Sequence, residues 1–263
     1  MIKKYWSKKW MISLLAAIVY FPLSAQEESK LTLIPNAGIS LTTIAYGGDN
    51  GEVLYDDNSS TLRASLGLAV EMELSDGLFF RPGLNLAFRG GRVEPNINAV
   101  RAARGAGVFN FVSDIEGEED FVQFMERGGD ASARVSITYL DVPLNFAYQM
   151  SLDNGHLLDF FIGPYVAFAI GGTTTIEADI DFREGEGIRQ LEGTDDLDFD
   201  DHLKAFDFGL NFGASYQIDQ YRFSLGYGIG FADIMQDIDN RNFRDISARN
   251  RFFNIGFGYV LEK

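Results

Sequence analysis

Between Tyr221 and Ile234 the chain alternates with hardly a break. Tyr221, Phe223, Leu225, Tyr227, Ile229 and Phe231 share one parity, and Arg222, Ser224, Gly226, Gly228, Gly230 and Ala232 share the other. Strand side chains point to opposite faces with period two, so this predicts a strand with one greasy face and one small or polar face. Seven further segments carry the same signature, at about 31–43, 61–74, 78–89, 135–149, 157–170, 205–218 and 253–261. In the fourth, Val135, Ile137 and Tyr139 share a parity before Leu140, Val142, Leu144, Phe146 and Tyr148 take over. A one-residue slip of this kind predicts a β-bulge at Tyr139-Leu140. The strands are about as long as a tilted strand needs to cross a bilayer.

The connections alternate as regularly as the side chains. Ser75-Asp76-Gly77, Ser151 to His156 and Asp219-Gln220 are short, whereas 44–60, 90–134, 171–204 and 236–249 are long. Eight strands with short turns at one end and long loops at the other predict an all-β fold, an eight-stranded antiparallel up-and-down transmembrane barrel. A soluble eight-stranded barrel would bury its apolar face instead. Here the opposite parity is mostly Gly, Ala, Ser and Asn rather than the Lys, Glu and Thr of a water-exposed face, and small residues suit a narrow lumen. Tyr148, Tyr221 and Tyr259 fall near the short-turn end, where an interfacial aromatic girdle belongs. The apolar face is therefore expected to meet lipid.

Composition sharpens this picture. Lys3, Lys4, Lys8 and Lys9, the apolar run from Trp10 to Phe21, and Leu23-Ser24-Ala25 predict residues 1–25 as an export signal cleaved near Ala25, with a single barrel domain over 26–263. The run is short of the ~20 residues of a spanning helix. No other segment is apolar enough to make one. Losing four lysines takes the net charge from −16 to −20. That disfavours nucleic acid and offers no basic patch for anionic lipid. With no Cys in the chain, disulfides and thiolate metal sites are excluded.

The residues Tyr139-Leu140-Asp141-Val142-Pro143-Leu144 resemble the Tyr-Leu-acid-Ile-Pro-Leu strand of the PorT-like outer-membrane β-barrel proteins, the porin-family barrels abundant in Bacteroidota. Gly163-Pro164-Tyr165, the run Phe206 to Ala214 and Asn254 to Tyr259 are similar to the strands that follow in that family. The likeness spans nearly the whole chain after the signal. Its motifs are packing motifs and carry no chemistry. Such barrels often end on an aromatic residue, whereas this chain ends Tyr259-Val260-Leu261-Glu262-Lys263. The resemblance implies an outer-membrane barrel and, from some relatives, an accessory of cell-envelope or secretion machinery.

Parity sends a set of charges inward: Arg63, Glu71, Glu73, Arg81, Arg89, Asp141, Asp159, Asp207 and Arg222. In a narrow eight-stranded lumen these are expected to pair as a structural charge network rather than line a water column. The 171–204 loop carries Glu177, Asp179, Asp181, Glu184 and Glu186, then Asp195, Asp196, Asp198, Asp200 and Asp201. No EF-hand spacing is present, so a solvated acidic face is expected and no metal site. In the 90–134 loop, Glu118 to Arg127 predicts a short amphipathic helix packed as a lid. His156 and His202 stand apart from any Ser nucleophile, and His202 beside Asp200 and Asp201 is the one enzyme-like grouping. The expectation is a monomeric, non-enzymatic protein without cofactor. Its neighbours would be outer-membrane lipid and an envelope protein met through loops 90–134 and 171–204. A narrow porin-like channel is the alternative.

Overall fold

The computed structural model describes residues 31–47, 55–95, 129–182, 187–197, 203–235 and 247–261. The export signal, the 118–127 segment and His202 lie outside them. The strands are β1 (Leu31–Gly47), β2 (Tyr55–Ser59), β3 (Thr61–Ser75), β4 (Leu78–Pro95), β5 (Gly129–Ser151), β6 (Leu157–Phe182), β7 (Gly187–Asp196), β8 (Phe206–Ile218), β9 (Tyr221–Gly230) and β10 (Ser247–Tyr259). Eight of them form one antiparallel ring in the order β4-β3-β1-β10-β9-β8-β6-β5, closed by the pairing of β4 with β5. Each of these strands pairs with its chain neighbours, and β1 meets β10 over Asn36↔Gly258 to Gly47↔Ser247. β2 and β7 ride on β4 and β6 beyond the ring. No helix occurs among the described residues.

The short turns close as their residues require. Gly77, Gly155 and Asp219 take positive φ (74°, 80° and 51°), the conformation that Gly adopts freely and Asp tolerates.

The apolar parity faces outward all round the ring. Leu62 and Leu66 on β3 are 66% and 65% exposed, and Ile162, Leu225 and Ile255 are about half exposed. A continuous apolar belt of this size does not occur on a soluble monomer. Aromatic side chains bound the belt at both ends. Phe168, Phe206, Phe208 and Phe231 form a chain of ring contacts at the long-loop end (5.2–6.3 Å between centroids). Tyr221, Phe223, Phe257 and Tyr259 do the same at the turn end (5.4–6.0 Å). Along β8, Phe206 and Tyr216 are ten residues apart, a rise of about 25 Å at the usual tilt, which matches the apolar band of an outer-membrane barrel.

The structure departs from the alternation read in the sequence in several places: β4 runs on to Pro95, β5 begins at Gly129 and β10 at Ser247, β2 lies within the expected 44–60 loop, and three further differences bear on the lumen and the outer sheet. First, β5 has no bulge at Tyr139-Leu140. Its register against β4 runs without a break from Asn85↔Asp141 to Val93↔Ala133. The extra residue is Ile170 on β6, because Thr138 pairs with Gly171 and Tyr139 with Ala169. Ile137 and Tyr139 point inward with Asp141 and are wholly buried; the hydrophobic pattern shifts parity there because the lumen turns apolar at its outer mouth. Second, β9 stops at Gly230; Phe231 still faces outward in the girdle, and residues 232–235 leave the wall to enter that mouth. Third, much of the 171–204 loop is strand: β6 runs on to Phe182 and pairs with β7 over Thr173↔Asp196 to Phe182↔Gly187. Above the outer girdle, β2, β4, β5, β6 and β7 thus form a sheet that stands clear of the membrane.

An outward position in mid-band tests this orientation. Leu225→Arg should lower the unfolding free energy in lipid vesicles by about 2–4 kcal/mol, read from denaturant titration. A change near zero would place that face in water.

Candidate functional site

The lumen holds the protein's concentrated chemistry, arranged in tiers. Near the turns, Arg81 (β4) donates from Nε to Glu71 Oε2 (β3) at 2.7 Å, and from Nη1 and Nη2 to the two carboxylate oxygens of Asp159 (β6) at 3.3 and 3.2 Å. Arg222 (β9) donates from Nη1 and Nη2 to Glu71 Oε2 and Oε1 at 2.6 and 3.1 Å. Its Nε reaches Gln217 Oε1 at 2.9 Å, and Ser215 Oγ donates to Asp159 Oδ1 at 2.5 Å. Two guanidiniums face two carboxylates in bidentate, charge-assisted geometry, so this tier is formally neutral. Glu71, Asp159 and Arg222 are buried. The pairing spans β3, β4, β6, β8 and β9 and crosses the barrel floor.

The outer tier centres on Arg89 (β4). Its Nη2 donates to Asp141 Oδ2 (β5) at 2.6 Å and its Nη1 to Asp207 Oδ2 (β8) at 3.3 Å. The guanidinium carbon lies 4.2 Å from the Phe252 ring centroid, 4.7 Å from Tyr165 and 5.3 Å from Tyr139. Those rings replace its water shell with cation–π contact. Asp207 Oδ2 also accepts from Tyr165 Oη (3.1 Å) and Asn250 Nδ2 (2.9 Å). Inner-wall glycines make room for the rings. A Cβ on Gly228 would collide with the Phe252 ring, and one on Gly209 would meet the Tyr165 ring at 2.7 Å. The Gly parity of β9 is thus the complement of the inward aromatics.

Above Arg89 the mouth is stoppered. Ile234 is fully buried among Ile44, Ile137, Ala167 and Ala248, with Leu197, Leu203 and Met235 packed on this group. Ile234 N donates to Ala248 O (2.9 Å), Lys204 N donates to Ile234 O (2.7 Å), and Asp233 Oδ1 accepts from the backbone N–H groups of Met235 and Ala248. The segment 232–235 is pinned on both sides. Above the lower tier lies a chamber of about 170 Å³, lined by Asn36, Asn85, Asn145, Asn211 and Asn254 with Ser40, Ser65 and Ser224, and by the apolar Pro143, Phe161 and Phe252.

Of the charges read as inward, Glu71, Arg81, Asp159 and Arg222 come together in the lower tier, and Arg89, Asp141 and Asp207 in the upper. Arg63 joins neither; its Nη2 reaches the Val135 carbonyl at 3.1 Å. Glu73 is exposed beside the turn. Tyr139, Tyr165, Phe252, Asn250 and Gln217 belong to the tiers but were not singled out by parity. The signal was available: extending the Asp141 and Asp207 parity strictly puts Tyr139 and Gln217 on the inner face. His156 Nδ1 lies 2.5 Å from Tyr216 Oη, with Asn154 Nδ2 at 3.0 Å, and the trio ties the 152–156 turn to β8. It includes no Ser, Thr or Cys. Among the described residues no cluster of His, Asp and Glu is arranged to hold a metal.

The upper tier yields a graded expectation. Arg89→Met leaves Asp141 and Asp207 buried without a counter-charge and should cost about 3–5 kcal/mol. Adding Asp141→Asn and Asp207→Asn should restore roughly half or more of that loss. Unfolding curves of the single and triple variants in micelles check both figures; a triple variant no better than the single would mean that the pairing is not what Arg89 supplies.

Three solved structures are similar in fold. They are the outer membrane protein OprG from Pseudomonas aeruginosa (10% identity, 90% of this chain and 98% of that one, TM-score 0.38), the attachment invasion locus protein Ail of Yersinia pestis with the heparin analogue sucrose octasulfate (9%, 89% and 100%, TM-score 0.35), and Neisserial surface protein A (9%, 86% and 96%, TM-score 0.34). No curated protein matches the sequence. The model of the outer membrane protein beta-barrel domain matches residues 24–236, and on that match the chain belongs to the outer membrane β-barrel domain family.

Proposed function

We propose that this barrel is a non-conducting, non-enzymatic component of the cell envelope, of the PorT-like kind, that works through its outer face. In this reading the chain is exported and cleaved near Ala25, and the barrel anchors in the outer membrane as a monomer. The outer sheet, with loops 90–134 and 171–204, contacts an envelope partner as an accessory of surface or secretion machinery. The observation that carries the reading is the closure of the lumen. A solute would have to pass the Glu71–Arg81–Asp159–Arg222 floor, the ring-clad Arg89 and the Ile234 stopper in turn. Breaking either charged tier leaves buried charges uncompensated, which is unsuited to a path that opens in use.

The outer sheet supports the second half of the reading. From Gly171 to Phe182, β6 continues for about 36 Å of strand past the girdle, a rise of under about 30 Å at the tilt of the wall, paired on one side with β5 and on the other with β7. Glu177 ties this extension to Arg92 and Arg134 at 3.4 and 3.8 Å across an exposed face. Such surface pairs add little stability. A sheet carried this far from the membrane band does nothing for the barrel's own closure, and a role in contact accounts for it.

The test is to replace residues 176–193 with Asn-Gly, which removes the β6–β7 hairpin above Thr175↔Thr194. The expected result is a barrel that still migrates as a folded, heat-modifiable species but loses a crosslinked partner captured in intact membranes by the unaltered chain. Identical crosslinks from both forms would move the role away from the hairpin.

A further inference from the structure

Two arginines stand on the lipid-facing side of the wall. From the turns toward the outer mouth, the outward parity of β10 runs Phe257, Ile255, Phe253, Arg251, Arg249. The first three belong to the apolar belt and are 44%, 47% and 39% exposed. Arg251 and Arg249 follow on the same face and are exposed. Arg251 pairs with Ile229 of β9, and the next outward residue there is Phe231 of the outer girdle. On the other side Phe253 pairs with the exposed Leu41 of β1. Arg251 is therefore the first outward residue of its strand past the belt, and Arg249 lies about 7 Å further along it.

Neither guanidinium meets a counter-charge on the wall. The outward positions beside them are Thr43 and Ala45 on β1 and Ile229 and Phe231 on β9, all uncharged. No described carboxylate forms an ion pair with either arginine. Arg92 and Arg134, by contrast, share Glu177 at 3.4 and 3.8 Å. The two ends of the barrel differ in the same sense. At the turn end the described exposed charges are all acidic: Glu73, Asp76, Asp153 and Asp219. The formal net charge of −16 gives no sign of a basic pair at the lipid boundary; the parity and register of β10 create it.

The chemistry that such a pair can meet is narrow. At the edge of the hydrocarbon a guanidinium is costly unless its charge reaches the headgroups. Its planar fork takes phosphate oxygens two at a time. A phosphate monoester carries a charge of about −1.5 to −2 on three acceptor oxygens, so one such group balances both arginines, whereas a phosphodiester balances one. The apolar belt directly below Arg251 offers a surface for acyl chains, which joins the phosphate to a lipid.

We propose that Arg249 and Arg251 form a binding site for the phosphate monoester of an outer-leaflet glycolipid, whose acyl chains lie along Phe253, Ile255 and Leu41. The bound lipid sits against the seam where β1 and β10, the first and last strands of the wall, close the ring.

The experiment refolds the purified chain into phosphatidylcholine vesicles doped with diphosphoryl lipid A, with the same glycolipid stripped of its phosphates, or with phosphatidylglycerol at equal charge, and follows thermal unfolding by circular dichroism. Diphosphoryl lipid A should raise the midpoint by about 3 °C or more, with saturation, and the stripped lipid should not. Both arginines are exposed, so Arg249→Gln with Arg251→Gln leaves folding intact; this variant should need about tenfold more lipid A for half the effect. Arg92→Gln with Arg134→Gln, made at arginines that already hold Glu177, should match the unaltered chain within about twofold. An equal rise with phosphatidylglycerol, or with inorganic phosphate in undoped vesicles, would overturn the assignment to a lipid monoester. Equal half-effect concentrations in the unaltered chain and the Arg249, Arg251 variant would overturn the site itself.

Discussion

The Arg89 guanidinium, held between Asp141 and Asp207 and walled by Phe252, Tyr165 and Tyr139, is the constraint on which the rest of the structure depends. A charge this deep in a membrane barrel persists only if it is paired and hydrogen-bonded. Meeting that demand fixes the inner faces of β4, β5, β6, β8 and β10 relative to one another. It also dictates glycine on the opposing wall, because Phe252 can lie over Arg89 only where Gly228 lacks a side chain. The sequence's Gly–aromatic alternation therefore has two causes, lipid outside and ring packing inside.

The lower tier repeats the solution with a different balance, two arginines against two acids, and no ring enclosure around its guanidiniums comparable to that of Arg89. The stopper adds a third layer made of apolar side chains. From the turns outward the lumen reads as ion pairs, polar chamber, ring-clad ion pair and apolar plug. Outside this filling lie the apolar belt and, beyond the outer girdle, the extended β4–β7 sheet.

Much of this was legible in the sequence and some was not, for physical reasons. Period-two alternation located all eight wall strands, because lipid on one side and a cramped lumen on the other impose opposite demands on adjacent residues. It placed Glu71, Arg81, Arg89, Asp141, Asp159, Asp207 and Arg222 on the inner parity. It failed where the inner face becomes apolar. Val135, Ile137 and Tyr139 carry the hydrophobicity of an outer face but point into the stoppered mouth, so an intact strand looked like a bulged one. Ile234 falls on the inner parity of β9 but is apolar where the rest of that parity is small or polar, and it belongs to the plug, held by docking against Ala248 and Lys204, distant in sequence. β7 and the end of β6 were read as loop because Asp, Glu and Gly are poor strand formers; their pairing with each other and with β5 overrides that preference.

The central claim, that this lumen is closed by its own side chains, is tested most directly by reconstituting the purified barrel into planar bilayers and recording at symmetrical high salt. A lumen blocked by the Arg89 tier, the Glu71–Arg222 floor and the Ile234 stopper gives no resolved single-channel steps. Stable, reproducible unitary currents from the folded, heat-modifiable protein would contradict it.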